Sequence, residues 1–147
     1  MDNETNQQEY IFKGVPAFLV EKLWHFGLPY VKRALDHANG EMSHEDLRVM
    51  CINRDAQLWM CKKEDKIIGA GTTEIVNYPQ MRVCRILTLA GTEFDNWMYL
   101  ANNIIELWAI EQDCEAIEAF VRKGFVPKLQ KIGFKHAYSV MHKRIKE

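Results

Sequence analysis

Arg85 is the side chain of this sequence that most needs a chemical explanation. It interrupts Met81–Leu89, a run that, past Arg82 at its start, is otherwise apolar enough on both faces for a central strand. A buried guanidinium requires an anionic partner. Glu74, Glu115, Glu118 or a bound ligand can supply one, which implies a polar pocket at the sheet. Glu74 is also placed to pair with Arg82 or Arg85 across a hairpin. Cys51, Cys61, Cys84 and Cys114 form no CxxC pair and lie in apolar stretches such as Leu58-Trp59-Met60-Cys61. They read as reduced, buried thiols, and no metal site is expected. His25, His37 and His44 lack metal-ligand spacing and read as surface or half-buried histidines. The basic run His142-Lys143-Arg144 reads as a solvated edge.

The elements that must position these groups follow from periodicity and punctuation. Residues 1–9 read as a mobile N-terminal tail, followed by a single domain over residues 10–147. Pro16 suits the first turn of a helix that carries Leu19, Val20, Leu23 and Trp24 at helical spacing. Gly27 and Pro29 are expected to break it, leaving a second helix over Tyr30–His37. Ser43 and Asp46 form a capping-box variant before a short helix with Leu47, Met50 and Cys51. Gln57–Cys61, Lys66–Val76 and Met81–Leu89 read as three meandering strands joined by polar turns. Gly91 ends the third. A long helix is expected over Phe94–Glu111, with Trp97, Ala101, Ile104, Ile105 and Trp108 as its apolar stripe. Thr92 or Asp95 can cap it. A strand over Glu115–Val121, a short helix over Val126–Ile132 ended by Gly133, and one or two strands within Phe134–Ile145 complete the order. A strand, a crossover helix and a return strand form a right-handed βαβ unit.

Composition narrows the function classes. The chain has 147 residues, 48% hydrophobic and 27% charged, as expected of a globular domain with a real core. Its net charge of -1 makes nucleic acid an unexpected partner. No apolar run approaches the roughly 20 residues that cross a bilayer, so no membrane partner is expected. Met1–Glu9 has no apolar signal core, and a cytoplasmic location is the expectation.

The order of elements resembles the GNAT acetyltransferase superfamily over roughly Val15–Ile145. Three stretches carry the resemblance. Lys66-Ile-Ile-Gly-Ala-Gly-Thr-Thr-Glu74 is similar to the glycine-bearing strand that precedes the family's central strand. Arg82–Leu89 followed by a helix is similar to the central strand-to-helix segment. Leu129-Gln-Lys-Ile-Gly133-Phe134 is similar to the family's Y-x-x-x-G-F ending of the short helix. A strand ending ILTLAG before a Trp-bearing helix also resembles small phage-encoded proteins of this kind. The implied fold is an α/β GNAT-like mixed sheet with N-terminal helices, a long crossover helix and a short helix before the last strands.

The resemblance implies an acetyl-CoA site where the central strand meets the helix. Family members place an R/Q-x-x-G-x-G/A loop there, and its N–H groups take the pyrophosphate. Glycines and a helix N-terminus are suited to an anion. Leu89, Ala90, Gly91, Thr92 and Phe94 are the corresponding cofactor-binding candidates. The loop departs from that pattern: it has no starting Arg or Gln, it keeps Gly91 alone, and it adds Glu93 and Asp95. Those carboxylates would repel a diphosphate by about 1–4 kcal/mol. The family's leaving-group Tyr is replaced by Leu129, and its Asn-x-x-Ala by Arg122 and Phe125. Tyr138, on an expected last strand, is the substitute acid. Glu74 is the candidate base, with His136 and His142 behind it.

Two functions are implied. One is a GNAT-fold protein with a degenerate acetyl-CoA site, a non-catalytic binding or structural module needing no cofactor. Its partner would be another protein chain, in viral assembly or from a host, with virion association if phage-encoded. The other is an atypical acetyl-CoA-dependent N-acetyltransferase. A third possibility is an unrelated α/β binding protein, which a structure without a splayed parallel strand pair beside Gly91 would favour.

Overall fold

The computed structural model describes residues 9–146. Of the expected tail, only Glu9 falls among them, at a turn. The chain forms β1 (Tyr10–Val15), α1 (Ala17–Leu35), α2 (His44–Ile52), β2 (Gln57–Lys63), β3 (Lys66–Asn77) and β4 (Arg82–Gly91). It continues with α3 (Phe94–Glu111), β5 (Ala116–Ala119), a 3-10 turn (Lys123–Phe125) and α4 (Val126–Gln130). The sheet order is β1-β2-β3-β4-β5. The first four strands pair antiparallel, and β5 joins β4 in parallel after the α3 crossover.

Three expectations are corrected. First, β1 exists where residues 10–13 were given no element and Gly14-Val15 were expected to open a helix. Its alternation buries Tyr10 and Phe12 while Ile11 and Lys13 face out, a half-buried edge strand. Second, α1 runs unbroken through Gly27 and Pro29. Its buried residues Val20, Trp24, Gly27 and Val31 recur at helical spacing along one face. Gly27 brings that face close to the sheet, since a Cβ there would lie 3.1 Å from Met60 Cε and 3.2 Å from the Ala70 Cβ. Packing of this stripe outweighs the backbone bond lost at Pro29. Third, Phe134–Ile145 forms no strand and stays exposed apart from half-buried Phe134.

The sheet has a core on each face. α1 and α2 cover Leu58, Met60 and Ala70 with Val20, Trp24, Val31 and Leu47. α3 covers Phe12, Trp59, Cys61 and Cys84 with Trp97, Ala101 and Ile105. The capping box forms as expected: Asp46 N–H donates to Ser43 Oγ at 3.1 Å, and Ser43 N–H donates to Asp46 Oδ2 at 2.8 Å.

Candidate functional site

The β4–β5 pair opens partway along its length. β5 pairs only with Val83–Ile86, so Leu87–Gly91 has no strand beside it on that edge. The opening starts at a bulge. Thr72 pairs with Thr88 and Thr73 with Ile86, which leaves Leu87 as an extra residue in β4. A hydroxyl pair sits at the bulge, Thr72 Oγ1 and Thr88 Oγ1, 2.7 Å apart and buried. Beyond it, Thr92 N–H donates to Ile68 O at 2.8 Å, toward β3. Backbone groups alternate edges along a strand, so those of Leu89 and Gly91 face the opening. Among the described residues, β4 has no strand partner there.

At the head of the opening, Gly91 is required by close approach rather than by its own dihedrals. A Cβ there would stand 2.5 Å from Ile68 O, 2.6 Å from Gly69 Cα and 2.6 Å from Trp97 Cζ2. A Cβ on Gly69 would likewise collide with the Trp97 indole. The two glycines form a slot for Trp97, which is fully buried and donates its indole N–H to Thr92 O at 2.9 Å. Phe94 stacks edge-on to Trp97 with centroids 4.9 Å apart, and Phe125 tilts over it at 5.7 Å.

The helix cap differs from expectation. Neither Thr92 nor Asp95 caps α3. Glu93 is the N-cap, in the left-handed region at φ 57°, with no side-chain cap bond. Its carboxylate is drawn elsewhere: Tyr10 O–H donates to Oε1 at 2.6 Å, and Lys63 Nζ donates to it at 2.9 Å. The hydrogen bond from Lys63, then that from Tyr10, holds the Glu93 carboxyl below its usual range. The same bond to Glu93, with burial, raises the Tyr10 phenol. Asp95 pairs with Lys128 at 2.8 Å. Both acids expected to repel a diphosphate are therefore matched by lysines, which short-range patterning at this loop did not reveal.

Arg85 lies near the closed end of the opening. Its Nη1 is 3.5 Å from Glu74 Oε2, and its Nη2 is 3.5 Å from Glu118 Oε2. The Glu74 pairing expected across the hairpin is thus present, as register partners. Arg85 Nη2 also donates to Tyr78 O–H at 2.9 Å, and that hydroxyl donates to Glu118 Oε1 at 2.9 Å. The guanidinium lies over the Phe120 ring, 4.7 Å from its centroid. Its buried Nε has no partner among the described residues. Tyr78 and Phe120 were not anticipated, although Glu118 and Phe120 share a strand parity that places them on one face. Glu74 also lines an open cleft of about 630 Å³ with Phe18, Arg54, Gln57, Arg82 and Trp108.

The remaining candidates lie apart. Tyr138 is on no strand and is 89% exposed, so this structure does not bring it to Glu74 or the opening. His136 and His142 are exposed on the same segment. Leu129 lies half-buried in α4. Burial pushes the Cys51, Cys61 and Cys84 thiols up to about 12, consistent with inert core residues. No cluster of potential metal ligands occurs among the described residues.

Helices on both faces of a mixed sheet, a bulged central strand and a short parallel β4–β5 pair make a GNAT-like α/β fold. Solved structures agree. An aminoglycoside acetyltransferase from an uncultured soil metagenomic sample superposes with a TM-score of 0.72 at 12% identity, over 95% of this chain and 97% of that one. A predicted acetyltransferase with acetyl-CoA from Clostridium acetobutylicum gives 0.64 at 12% identity, over 92% and 96%. A GNAT family acetyltransferase from Staphylococcus aureus gives 0.61 at 20% identity, over 93% and 99%. No family model and no curated protein matches the sequence.

Proposed function

We propose that this protein is a GNAT-fold binding or structural module whose acetyl-CoA site is degenerate, and that its partner is another protein chain. The observation that carries this reading is the head of the opening. The Thr92 N–H is spent on Ile68 O, Glu93 occupies the left-handed cap, and Gly91 is filled against Trp97. With a single glycine and one of its N–H groups already committed, the loop offers less than the multi-glycine cradle that takes a pyrophosphate in this fold. Tyr138 is exposed and Leu129 is apolar, so neither of these two positions supplies a leaving-group acid at the opening, in keeping with the module reading.

A second reading is an atypical acetyl-CoA-dependent N-acetyltransferase. The open edge at Leu89 and Gly91 favours it, because unpaired backbone amides suit an extended, amide-bearing ligand. In that reading Glu74, once released from Arg85, is the base. Isothermal titration with acetyl-CoA separates the two. The module reading expects no heat of binding up to millimolar cofactor, and micromolar binding overturns it.

A further inference from the structure

β3 has a free edge inside the span of the sheet, at its end far from Gly91. β2 begins at Gln57, whose register partner is Thr73, while β3 runs on to Asn77. Gln57 closes off the shorter strands at that point: its Nε2 donates to Val15 O at 2.9 Å and to Leu58 O at 2.8 Å. Over Glu74–Asn77, β3 pairs with β4 on one side, and among the described residues no strand lies on the other. Backbone groups of alternate residues face that edge, a template for an added strand.

The edge opens into the cleft of about 630 Å³ that Thr73, Glu74 and Ile75 help to line. Clefts that hold ligands span roughly 300–1,000 Å³. Phe18, 79% exposed, and half-buried Trp108 give its walls apolar surface. Arg54 and Arg82 line it as well, and among the described residues neither guanidinium meets a carboxylate. Arg82 donates only to Gln112 O at 2.7 Å and Asn77 Oδ1 at 3.0 Å, both neutral. Of the acids on the cleft, Glu74 is matched by Arg85, and Asp55 is exposed to water. The first turn of α1, on the same cleft, contains no acid. This balance suits a ligand that carries carboxylates.

We infer that the cleft docks an extended, acidic segment of a partner protein, added as a strand to β3 at Glu74–Asn77. The segment's backbone completes the free edge, its carboxylates meet Arg54 and Arg82, and its apolar side chains lie against Phe18 and Trp108. The inference rests on the module reading for the existence of a protein partner, and it names that partner's chemistry.

A labelled synthetic peptide of alternating valine and glutamate, titrated into the full chain and followed by fluorescence anisotropy, tests it. Saturable binding is expected, with amide exchange slowed at Glu74–Asn77 and unchanged at Leu87–Gly91. Methylating the peptide's backbone nitrogens removes its ladder donors and should weaken binding about tenfold or more. Arg54→Glu, at an exposed position, should weaken binding about fivefold and strengthen that of a valine–lysine peptide by a similar factor. No binding, binding indifferent to methylation or to Arg54→Glu, or protection at Leu87–Gly91 instead, would each overturn the proposal. So would self-association of the parent chain that protects the same amides, which assigns the edge to a second copy. Titration with acetyl-CoA reports separately. A missing peptide complex with no cofactor binding strikes this site alone, whereas micromolar cofactor binding strikes the module reading whatever the peptide does.

Discussion

Replacing Gly91 by Ala tests whether this glycine serves packing. The added methyl meets Ile68 O at 2.5 Å, Gly69 Cα at 2.6 Å and Trp97 Cζ2 at 2.6 Å. Ordinary carbon contacts lie at about 3.5–4.0 Å, so each neighbour must withdraw by about 1 Å. Two of them are backbone atoms within a paired ladder and cannot rotate aside. The third belongs to a fully buried indole whose N–H is held by Thr92 O. Overpacking of this kind costs about 1–3 kcal/mol. For a chain of this size each kcal/mol lowers Tm by about 2–4 °C. Urea unfolding followed by tryptophan fluorescence should show the loss at an unchanged m-value. In a Trp97→Phe background the clash with Cζ2 is gone while the backbone clashes remain. The Gly91→Ala cost should then shrink without vanishing, a coupling that a double-mutant cycle measures. A Gly91→Ala protein within about 0.5 kcal/mol of the parent would refute the packing argument. An equal cost in both backgrounds would remove Trp97 from it.

Other outcomes follow from the same structure. Thr72→Val or Thr88→Val alone strands the other buried hydroxyl and should cost about 1–3 kcal/mol in urea unfolding, whereas the double change should cost less than the sum. Cys51, Cys61 and Cys84 are buried with thiols near 12, so a thiol reagent at mildly alkaline pH should modify the half-buried Cys114 first and the others only on unfolding. Glu93→Gln removes the carboxylate that raises the Tyr10 phenol, and spectrophotometric titration should show that pKa falling. Because the folded Glu93 carboxyl lies below its unfolded value, its contribution is present above the unfolded carboxylate pKa. It is lost as pH falls through the folded one, so Glu93→Gln should flatten the acid limb of a stability–pH curve.

The strand order was legible because β2, β3 and β4 are β-rich runs separated by polar turns, and a Glu74 pairing with Arg82 or Arg85 because a hairpin brings them near one another, while the register that selects Arg85 is set by the fold. β1 was missed although Tyr10 and Phe12 alternate, since the polar run before it and Gly14-Val15-Pro16 after it suggested a tail and a helix start. Pro29 was read as a break because the single-residue signal was weighed above the Val20, Trp24, Gly27, Val31 stripe. That stripe is a tertiary fact, set by what Met60 and Ala70 present to it. The Phe134–Ile145 pattern shows a capacity to pair, while pairing itself needs a partner in reach. At the candidate site, Lys63 and Lys128 are distant in sequence from the acids they neutralise. Local spacing carries no trace of them, which is why the loop looked more repulsive to an anion than its folded form is.

The sheet order repeats the chain order. Every strand is laid beside the one made before it, so a growing chain can extend the sheet outward from an existing edge at each step. The parallel join to β5 comes last, follows an 18-residue helix and rests on a four-residue strand. Amide exchange should therefore be graded across the molecule, slowest in the antiparallel meander and fastest from β5 onward. The region that opens most readily is then also the wall of the splay, so any ligand or partner gripping that wall would be felt first as slowed exchange there.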